Sequence, residues 1–189
     1  MVERVVDAKK LDFKKLTLEE LRPGLLDSFE RRQKVVRVWK NLNGKRILVL
    51  SPFIDDWDNR HKDKIVMRDF SSCIRGGGVV FCALCCQQIV GFAALMRKPF
   101  GSRKQYVDLQ LLHVSANCRN MGLGKRLFSL CAVQAAEWGA KKIYISAHSA
   151  EETQAFYKRL GCVDAAEPSQ FHIDLDAADC QMEYVLPIL

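Results

Sequence analysis

Apolar positions along the chain fall into two kinds of pattern, short continuous runs and longer stretches with helical spacing. Val79-Val80-Phe81-Cys82-Ala83-Leu84-Cys85 and residues 89–96 are continuous runs of strand length. Gln87-Gln88 separates them, so they read as a hairpin, although the usual glycine is missing from its turn. Residues 106–114 predict another strand, 123–138 a helix, and 142–146 a further strand. Residues 152–160 predict a helix that stops at Gly161. Upstream, a helix over 61–75 ends at Gly76-Gly77-Gly78. The first part is less regular. Residues 3–9 suggest a short strand, and Thr17-Leu18-Glu19-Glu20 has capping-box spacing. After the break at Pro23-Gly24 a helix over 25–41 is expected, then an extended segment at 46–50 and a loop at 55–58. Residues 98–104 read as a polar connection, and two strands are expected between 171 and 186. A hairpin joined to strand–helix–strand crossovers predicts a mixed sheet in an α/β (α+β) fold.

The 189 residues suit a single domain, with 49% hydrophobic and 27% charged residues. No apolar run reaches membrane-spanning length, and residues 1–7 lack an apolar signal core. Both point to a cytoplasmic protein without a membrane partner. The eight cysteines then read as buried thiols rather than disulfides. Cys82-x-x-Cys85 has zinc-like spacing, but it lacks a second ligand pair and sits in an apolar run, so no metal is expected. Charge is uneven. Beyond Arg159 there is no Lys or Arg, whereas the first 160 residues carry 29 basic against 16 acidic residues. Such a body could attract a polyanionic cofactor, and the acidic tail could lie near a cationic substrate. No recognition-helix or stacking pattern points to nucleic acid.

The stretch Arg119-Asn120-Met121-Gly122-Leu123-Gly124 lies between a predicted strand and a predicted helix. A glycine-spaced turn there leaves backbone N–H groups unpaired at the positive end of a helix, which suits a phosphate group. It matches neither Gly-x4-Gly-Lys-Ser/Thr nor the three-glycine dinucleotide fingerprint. Local chemistry therefore leaves two readings, a pyrophosphate cradle and a plain tight turn.

With these residues in view, the stretch 106–164 resembles the GNAT superfamily of N-acetyltransferases. The family signature is Gln or Arg, two residues, Gly, one residue, then Gly or Ala, here Arg119, Gly122 and Gly124. Val114 precedes it by five residues, at the end of the family's fourth strand. Ala155-Phe156-Tyr157-Lys158-Arg159-Leu160-Gly161-Cys162 is similar to the family's Phe-Tyr-x-x-x-Gly-Phe segment, and the two segments lie 38 residues apart. The resemblance implies a three-layer fold with a mixed, mostly antiparallel sheet of about seven strands. Helices cover both faces, and strands four and five splay apart. It divides one domain into a variable N-terminal helical acceptor-side region (1–78), a cofactor core (79–164) and C-terminal strands (165–189).

The implied donor is acetyl-CoA. The cofactor would be held by Leu112, Val114, Arg119, Asn120, Met121, Gly122, Leu123, Gly124, Lys125 and Arg126. Backbone amides from Met121 to Arg126 take the pyrophosphate, Lys125 and Arg126 add charge, and Leu112 and Val114 pair with pantetheine. The Val114 N–H would polarise the thioester carbonyl. Acyl transfer from a thioester to an amine requires loss of the ammonium proton, stabilisation of an oxyanion and a donor for the thiolate. Tyr157 matches the family's general acid, against the alternative that it only packs a helix face. Asp108 lies eleven residues before Arg119, at the offset of the base in the histone-acetylating branch. Histidines stand at the offsets of Asp108 and Gln110 in the serotonin-acetylating branch. Asp108 could equally be a salt-bridged strand residue. Strand parity sets Asp108, Gln110 and Leu112 on one face and His113 on the other, unless a bulge intervenes. His148 is an alternative proton carrier, whereas His172, His61 and Cys180 have no supporting context. Ala150 replaces an asparagine that contacts the cofactor in many members.

For the acceptor, Asp55, Asp56, Trp57, Asp174 and Asp176 suit a small cationic amine. Asp55 to Asp58 could also be a turn with Trp57 as a core plug. Three functions stay open: a small-molecule amine acetyltransferase, which is the preferred reading, a protein lysine or N-terminal acetyltransferase, and a non-catalytic acyl-CoA-binding module. The chain is expected to act as a monomer or homodimer.

Overall fold

The computed structural model describes residues 11–43 and 45–187. The strand expected at 3–9 lies outside the described residues. Seven strands form the main sheet in the order β1-β4-β5-β6-β7-β9-β8. They are β1 Leu11–Lys15, β4 Val79–Cys85, β5 Gln88–Phe100, β6 Tyr106–Val114, β7 Lys142–Ala147, β8 Val163–Asp164 and β9 Cys180–Val185. The β6–β7 pair is parallel and the other neighbours are antiparallel. Parallel neighbours need a crossover, and helix α3 (Leu123–Glu137) supplies it.

Each face of the sheet has its own core. Val107, Leu109, Ile143 and Ile145 pack against Leu127, Phe128 and Cys131 of α3 and Tyr157 of α4 (Glu151–Arg159). On the opposite face Val80, Cys82, Phe92 and Ala94 meet Ile65, Val66, Phe70 and Cys73. Those residues belong to one helical stretch, built from α1 (Asn59–Lys64), a wide π-helical turn (Ile65–Phe70) and α2 (Ser71–Arg75). The β4–β5 turn is Cys86-Gln87, one residue earlier than expected. Both residues have positive φ, 50° and 62°, the left-handed pair that two-residue hairpins adopt.

The structure corrects the N-terminal reading. Residues 25–41 do not form a helix. Instead β2 (Arg32–Leu42) and β3 (Lys45–Asp56) make a separate two-stranded sheet. The alternation of Val35, Val38 and Trp39 with Lys34, Arg37 and Lys40 is interrupted by a bulge between Val35 and Arg37, which blurred its period. The hairpin is anchored by tertiary contacts. Trp39 N–H donates to the Ser149 carbonyl at 2.8 Å, and Val38 bridges Ala150. Arg37 grips Glu151 at 2.8 and 2.7 Å, and Arg46 meets Asp164 at 2.7 Å. The capping box at Thr17 opens only a single 3-10 turn, Leu18–Glu20. The extended segment at 46–50 is part of β3, and β5 continues through the expected polar connection to Phe100. At the C-terminal end the two expected strands are a helix, α5 (Gln170–Leu175), followed by β9.

One polar knot fastens β6, β7 and β9. Glu183, 4% exposed, accepts hydrogen bonds from Tyr106 Oη at 2.5 Å, Lys142 Nζ at 2.6 Å and Ala166 N–H at 3.0 Å. Burial works to raise the Glu183 pKa, but the Lys142, Tyr106 and Ala166 bonds outweigh it and hold the carboxyl below its ordinary value. The phenol of Tyr106 is pushed up to about 12 by its burial and by Glu183. A carboxyl depressed in the folded state adds stability that is complete above its unfolded pKa. That stability disappears as pH falls through the folded value. The urea midpoint is therefore expected to fall as pH drops below about 4.3. Glu183→Gln should cost about 2 kcal/mol at neutral pH and flatten that acid slope. A variant with the parent's slope would remove this network from the account.

Candidate active site

The pairing of β6 with β7 is short. Tyr106, Val107 and Asp108 pair with Lys142, Ile143 and Tyr144, and there it stops. The cause lies on the other side of β6. Ala94 pairs with Leu111 and Leu95 with Leu109, so Gln110 is an extra residue in a β-bulge. A bulge bends its strand and increases local twist, which swings the second half of β6 away from β7. From Leu109 to Val114 that edge of β6 pairs with no strand among the described residues. The result is a wedge between the fourth and fifth strands of the sheet.

The bulge also reverses parity. Asp108 lies opposite Met96, and His113 lies opposite Phe92, on the face covered by α1 and α2. Leu112 and Val114 turn to the α3 face, and Gln110 is exposed at the bulge. Asp108, Gln110 and Leu112 therefore do not share a face, and His113 is not opposite Asp108. His113 is held in its neutral form. It packs edge-on to Trp57 at 4.7 Å and beside Phe92 at 5.5 Å. Burial, then Arg31 and Arg119, push its pKa down to about 3.

Past the open end of the wedge lies the glycine turn. Asn120 and Gly122 are left-handed, with φ of 62° and 80°. Arg126 N–H closes the first helical bond to the Gly122 carbonyl at 3.0 Å. The amides of Leu123, Gly124 and Lys125 precede that bond and have no partner within α3. Arg119 Nε reaches the Val114 carbonyl at 3.4 Å and ties the turn to the end of β6. Leu123 is buried beneath it, whereas Met121, Lys125 and Arg126 are exposed. The two glycines do different work. A Cβ on Gly122 would meet nothing within 4 Å, so its backbone opens onto free space. A Cβ on Gly124 would stand 3.1 Å from the Phe156 ring, so this glycine lets α3 and α4 approach.

At the closed end of the wedge stand the polar groups. Asp108 Oδ2 lies 3.1 Å from His172 Nε2, and His172 Nδ1 lies 2.9 Å from Ser169 Oγ. The Ser169 N–H donates to Tyr144 Oη at 2.7 Å, and Tyr144 Oη donates to Gln181 Oε1 at 2.6 Å. Gln181 Nε2 donates to Ser146 Oγ at 3.1 Å, and Ser146 Oγ donates to Asp179 Oδ2 at 3.1 Å. Two carboxylates thus flank the wedge, Asp108 from β6 and Asp179 from the residue before β9. Burial and nearby Asp176 raise the Asp179 pKa against the pull of Ser146, His148 and His172. Tyr157 comes from the α3–α4 side and is 6% exposed. Burial first, then neighbouring Cys162, Cys131, Asp179 and Asp108, raise its pKa strongly. Ala150 is taken up by the bridge to Val38, and His148 Nδ1 accepts the Ala150 N–H at 3.1 Å. A small residue there admits the hairpin.

The acceptor residues expected from sequence do not gather. Asp55 is ion-paired with buried Arg31, whose guanidinium lies 5.3 Å over Trp57. Trp57 stacks on His61 at 5.1 Å within an aromatic cluster. Asp56 accepts the Trp57 N–H at 2.8 Å, and Asp58 caps α1. A cleft of about 350 Å³ lies beside them, lined by Arg31, Lys62 and Asp56. Asp174 is exposed and accepts from Gln170, and Asp176 is exposed and accepts the Ala178 N–H. The residues at the wedge that sequence reasoning missed are Asp179, Tyr144, Gln181 and His172. None has a spacing signal, because each is brought in by sheet register or by a short helix.

A mixed sheet wedged open beside a helix-capping glycine turn suits an extended ligand that ends in a phosphate. The chain belongs to the GNAT acetyltransferase family: the family model "Acetyltransferase (GNAT) family" matches residues 46–162. It is accordingly an acyltransferase with acetyl-CoA as donor. Similar solved structures include nourseothricin acetyltransferase, with TM-score 0.70 and 12% identity over 94% of this chain and 99% of that one. A putative streptothricin acetyltransferase from Bacillus anthracis, solved with acetyl coenzyme A, gives TM-score 0.63 and 17% identity over 95% and 99%. The ribosomal-protein-S18-alanine N-acetyltransferase of Escherichia coli gives TM-score 0.57 and 14% identity over 95% and 96%. No curated protein matches the sequence. At these identities the structural likenesses speak to fold alone.

The contact at Gly124 is directly testable. Gly124→Val should lower stability by about 2 kcal/mol through overpacking, and Phe156→Leu added to it should restore part of the loss in urea unfolding. Full stability of the single variant would mean the Phe156 ring moves aside freely.

Proposed function

We propose that the chain moves the acetyl group of acetyl-CoA onto a primary amine of a small cationic molecule, by direct attack in a ternary complex. The observation that carries this reading is the wedge between β6 and β7, with unpaired amides past its open end and Asp108 at its closed end. Those amides, the open space above Gly122 and the exposed Lys125 and Arg126 fit a pyrophosphate. The unpaired edge of β6 at Leu112 and Val114 fits the amide-bearing arm of the donor, in the manner of an added strand. When bound, the donor supplies a thioester carbonyl.

Asp108 would take the proton that the acceptor ammonium must lose, or hold that ammonium beforehand. Tyr157 would keep a proton for the departing sulphur. Burial holds the phenol in its protonated form. Gln110, exposed at the bulge, would contact the acceptor rather than exchange protons. For the acceptor, Asp179 joins Asp108 as the acidic pair, in place of Asp55, which Arg31 neutralises. The neighbours named for nourseothricin and streptothricin acetylation favour a small-molecule acceptor.

A second reading, acetylation of a protein lysine or N-terminus, is supported by an apolar lip on β3. Leu50 is 75% and Ile54 55% exposed, and Phe53 lies 5.8 Å from His148. A panel of polyamines, aminoglycoside-like amines and lysine peptides, followed by release of free thiol from acetyl-CoA, separates the two. Turnover of peptides alone would overturn the small-molecule acceptor.

Tyr157→Phe is expected to lower kcat by about 10²-fold while leaving acetyl-CoA affinity unchanged. Equal turnover would take the tyrosine out of the mechanism. Gly122→Val is expected to weaken acetyl-CoA binding by about tenfold or more, read by calorimetry. Undiminished affinity would remove the glycine turn as the pyrophosphate site.

A further inference from the structure

We propose that His172 is a positioning residue for Asp108, holding this carboxylate in one orientation at the closed end of the wedge. The proposal rests on the reading of Asp108 as the group that receives the ammonium proton. His172 lies in α5, beyond the residues 46–162 that the family model matches.

The argument starts from what Asp108 lacks. Its Oδ1 is buried with no hydrogen-bond partner. Among the described residues, the His172 ring, 3.1 Å from Oδ2, is the partner of its carboxylate. A carboxylate that loses water and gains a single donor is poorly compensated, so the donor that remains decides how it is oriented. An ionised carboxylate only accepts hydrogen bonds, so Nε2 must carry the hydrogen. Nδ1 is then left to the Ser169 hydroxyl at 2.9 Å, which can donate to it. That hydroxyl fixes the tautomer that Asp108 needs.

The ring is itself clamped. It lies 4.9 Å from Tyr144 and 5.8 Å from Phe100. Ser169 is held in place because its N–H donates to Tyr144 Oη at 2.7 Å. Tyr144 is the residue paired with Asp108 across β6 and β7. The last rung before the wedge therefore organises both the carboxylate and the serine that orients its histidine. Proton transfer remains on Asp108: the substrate N–H bond breaks, Asp108 gains the proton, and His172 keeps its own.

The test has a spectroscopic and a kinetic arm. In ¹⁵N-labelled protein, with resonances assigned by His172→Gln, the two-bond ¹H–¹⁵N spectrum at neutral pH should show His172 protonated at Nε2. The Nδ1–H tautomer would overturn the proposal. With acetyl-CoA and the panel amine turned over fastest, His172→Ala should lower kcat on the order of tenfold or more and leave the acetyl-CoA KM unchanged. His172→Gln, whose amide can donate from nearly the same place, should recover most of that loss. Added to Asp108→Asn, His172→Ala should cost little further. Full turnover of His172→Ala beside an impaired Asp108→Asn would overturn the role of His172 alone. Full turnover of Asp108→Asn would instead sink the reading of Asp108. An additive double variant, or a glutamine variant as slow as the alanine one, would show that His172 does not act by orienting Asp108.

Discussion

The parallel contact between β6 and β7 lasts for three residue pairs, and the rest of the site follows from its early end. A continuous parallel pair would have satisfied the β6 backbone and closed the sheet. The extra residue at Gln110 prevents this by bending β6 while its antiparallel partner β5 stays in register on either side. The unpaired polar edge is tolerated because it faces a cleft open to solvent or ligand rather than a dry core. The structure compensates by fastening the paired end. Glu183 draws Tyr106 and Lys142 together beneath the last rungs, and Tyr144 is fully buried between neighbouring rings. A firmly knotted base and an unpaired upper half together make a rigid fork.

How much of this was legible depends on how local each determinant is. The strands at 79–85 and 106–114 and the helix at 123–137 announce themselves, because apolar residues dominate each, with glycines before residue 79 and beside both ends of the helix. The hairpin β2–β3 does not. Its residues are amphipathic in a way that a bulge makes resemble helical spacing, and its stability comes from Ser149, Ala150, Glu151 and Asp164, more than a hundred residues away. The C-terminal error is of the same kind. Phe171 and Ile173 favour a strand by local preference, yet the segment is the short helix α5, whose His172 lies against Asp108.

The site divides along the same line. The glycine turn was legible because its chemistry is that of consecutive backbone amides, and the structure leaves those amides without partners as such a turn requires. The facing of Asp108 and His113 was misjudged, since a single inserted residue reverses strand parity and leaves no mark in the sequence. Asp55 was misjudged for a different reason. A carboxylate chosen by type and exposure cannot reveal that a buried arginine already neutralises it.

The uneven charge of the chain has a counterpart in space. Basic Arg119, Lys125 and Arg126 sit at the open end of the wedge, whereas Asp179 and the short acidic segment before β9 come from the stretch without Lys or Arg. Under the proposed function, a single cleft would then meet a polyphosphate at one end and an ammonium at the other. Each attraction acts locally, because charges separated by more than a Debye length of about 8 Å are largely screened at physiological salt. Separation of the two ends along β6 is what lets both signs coexist in one cleft. If the acidic and basic groups shared one end they would pair with each other, as Arg31 and Asp55 do beside Trp57, and neither would be left for a ligand.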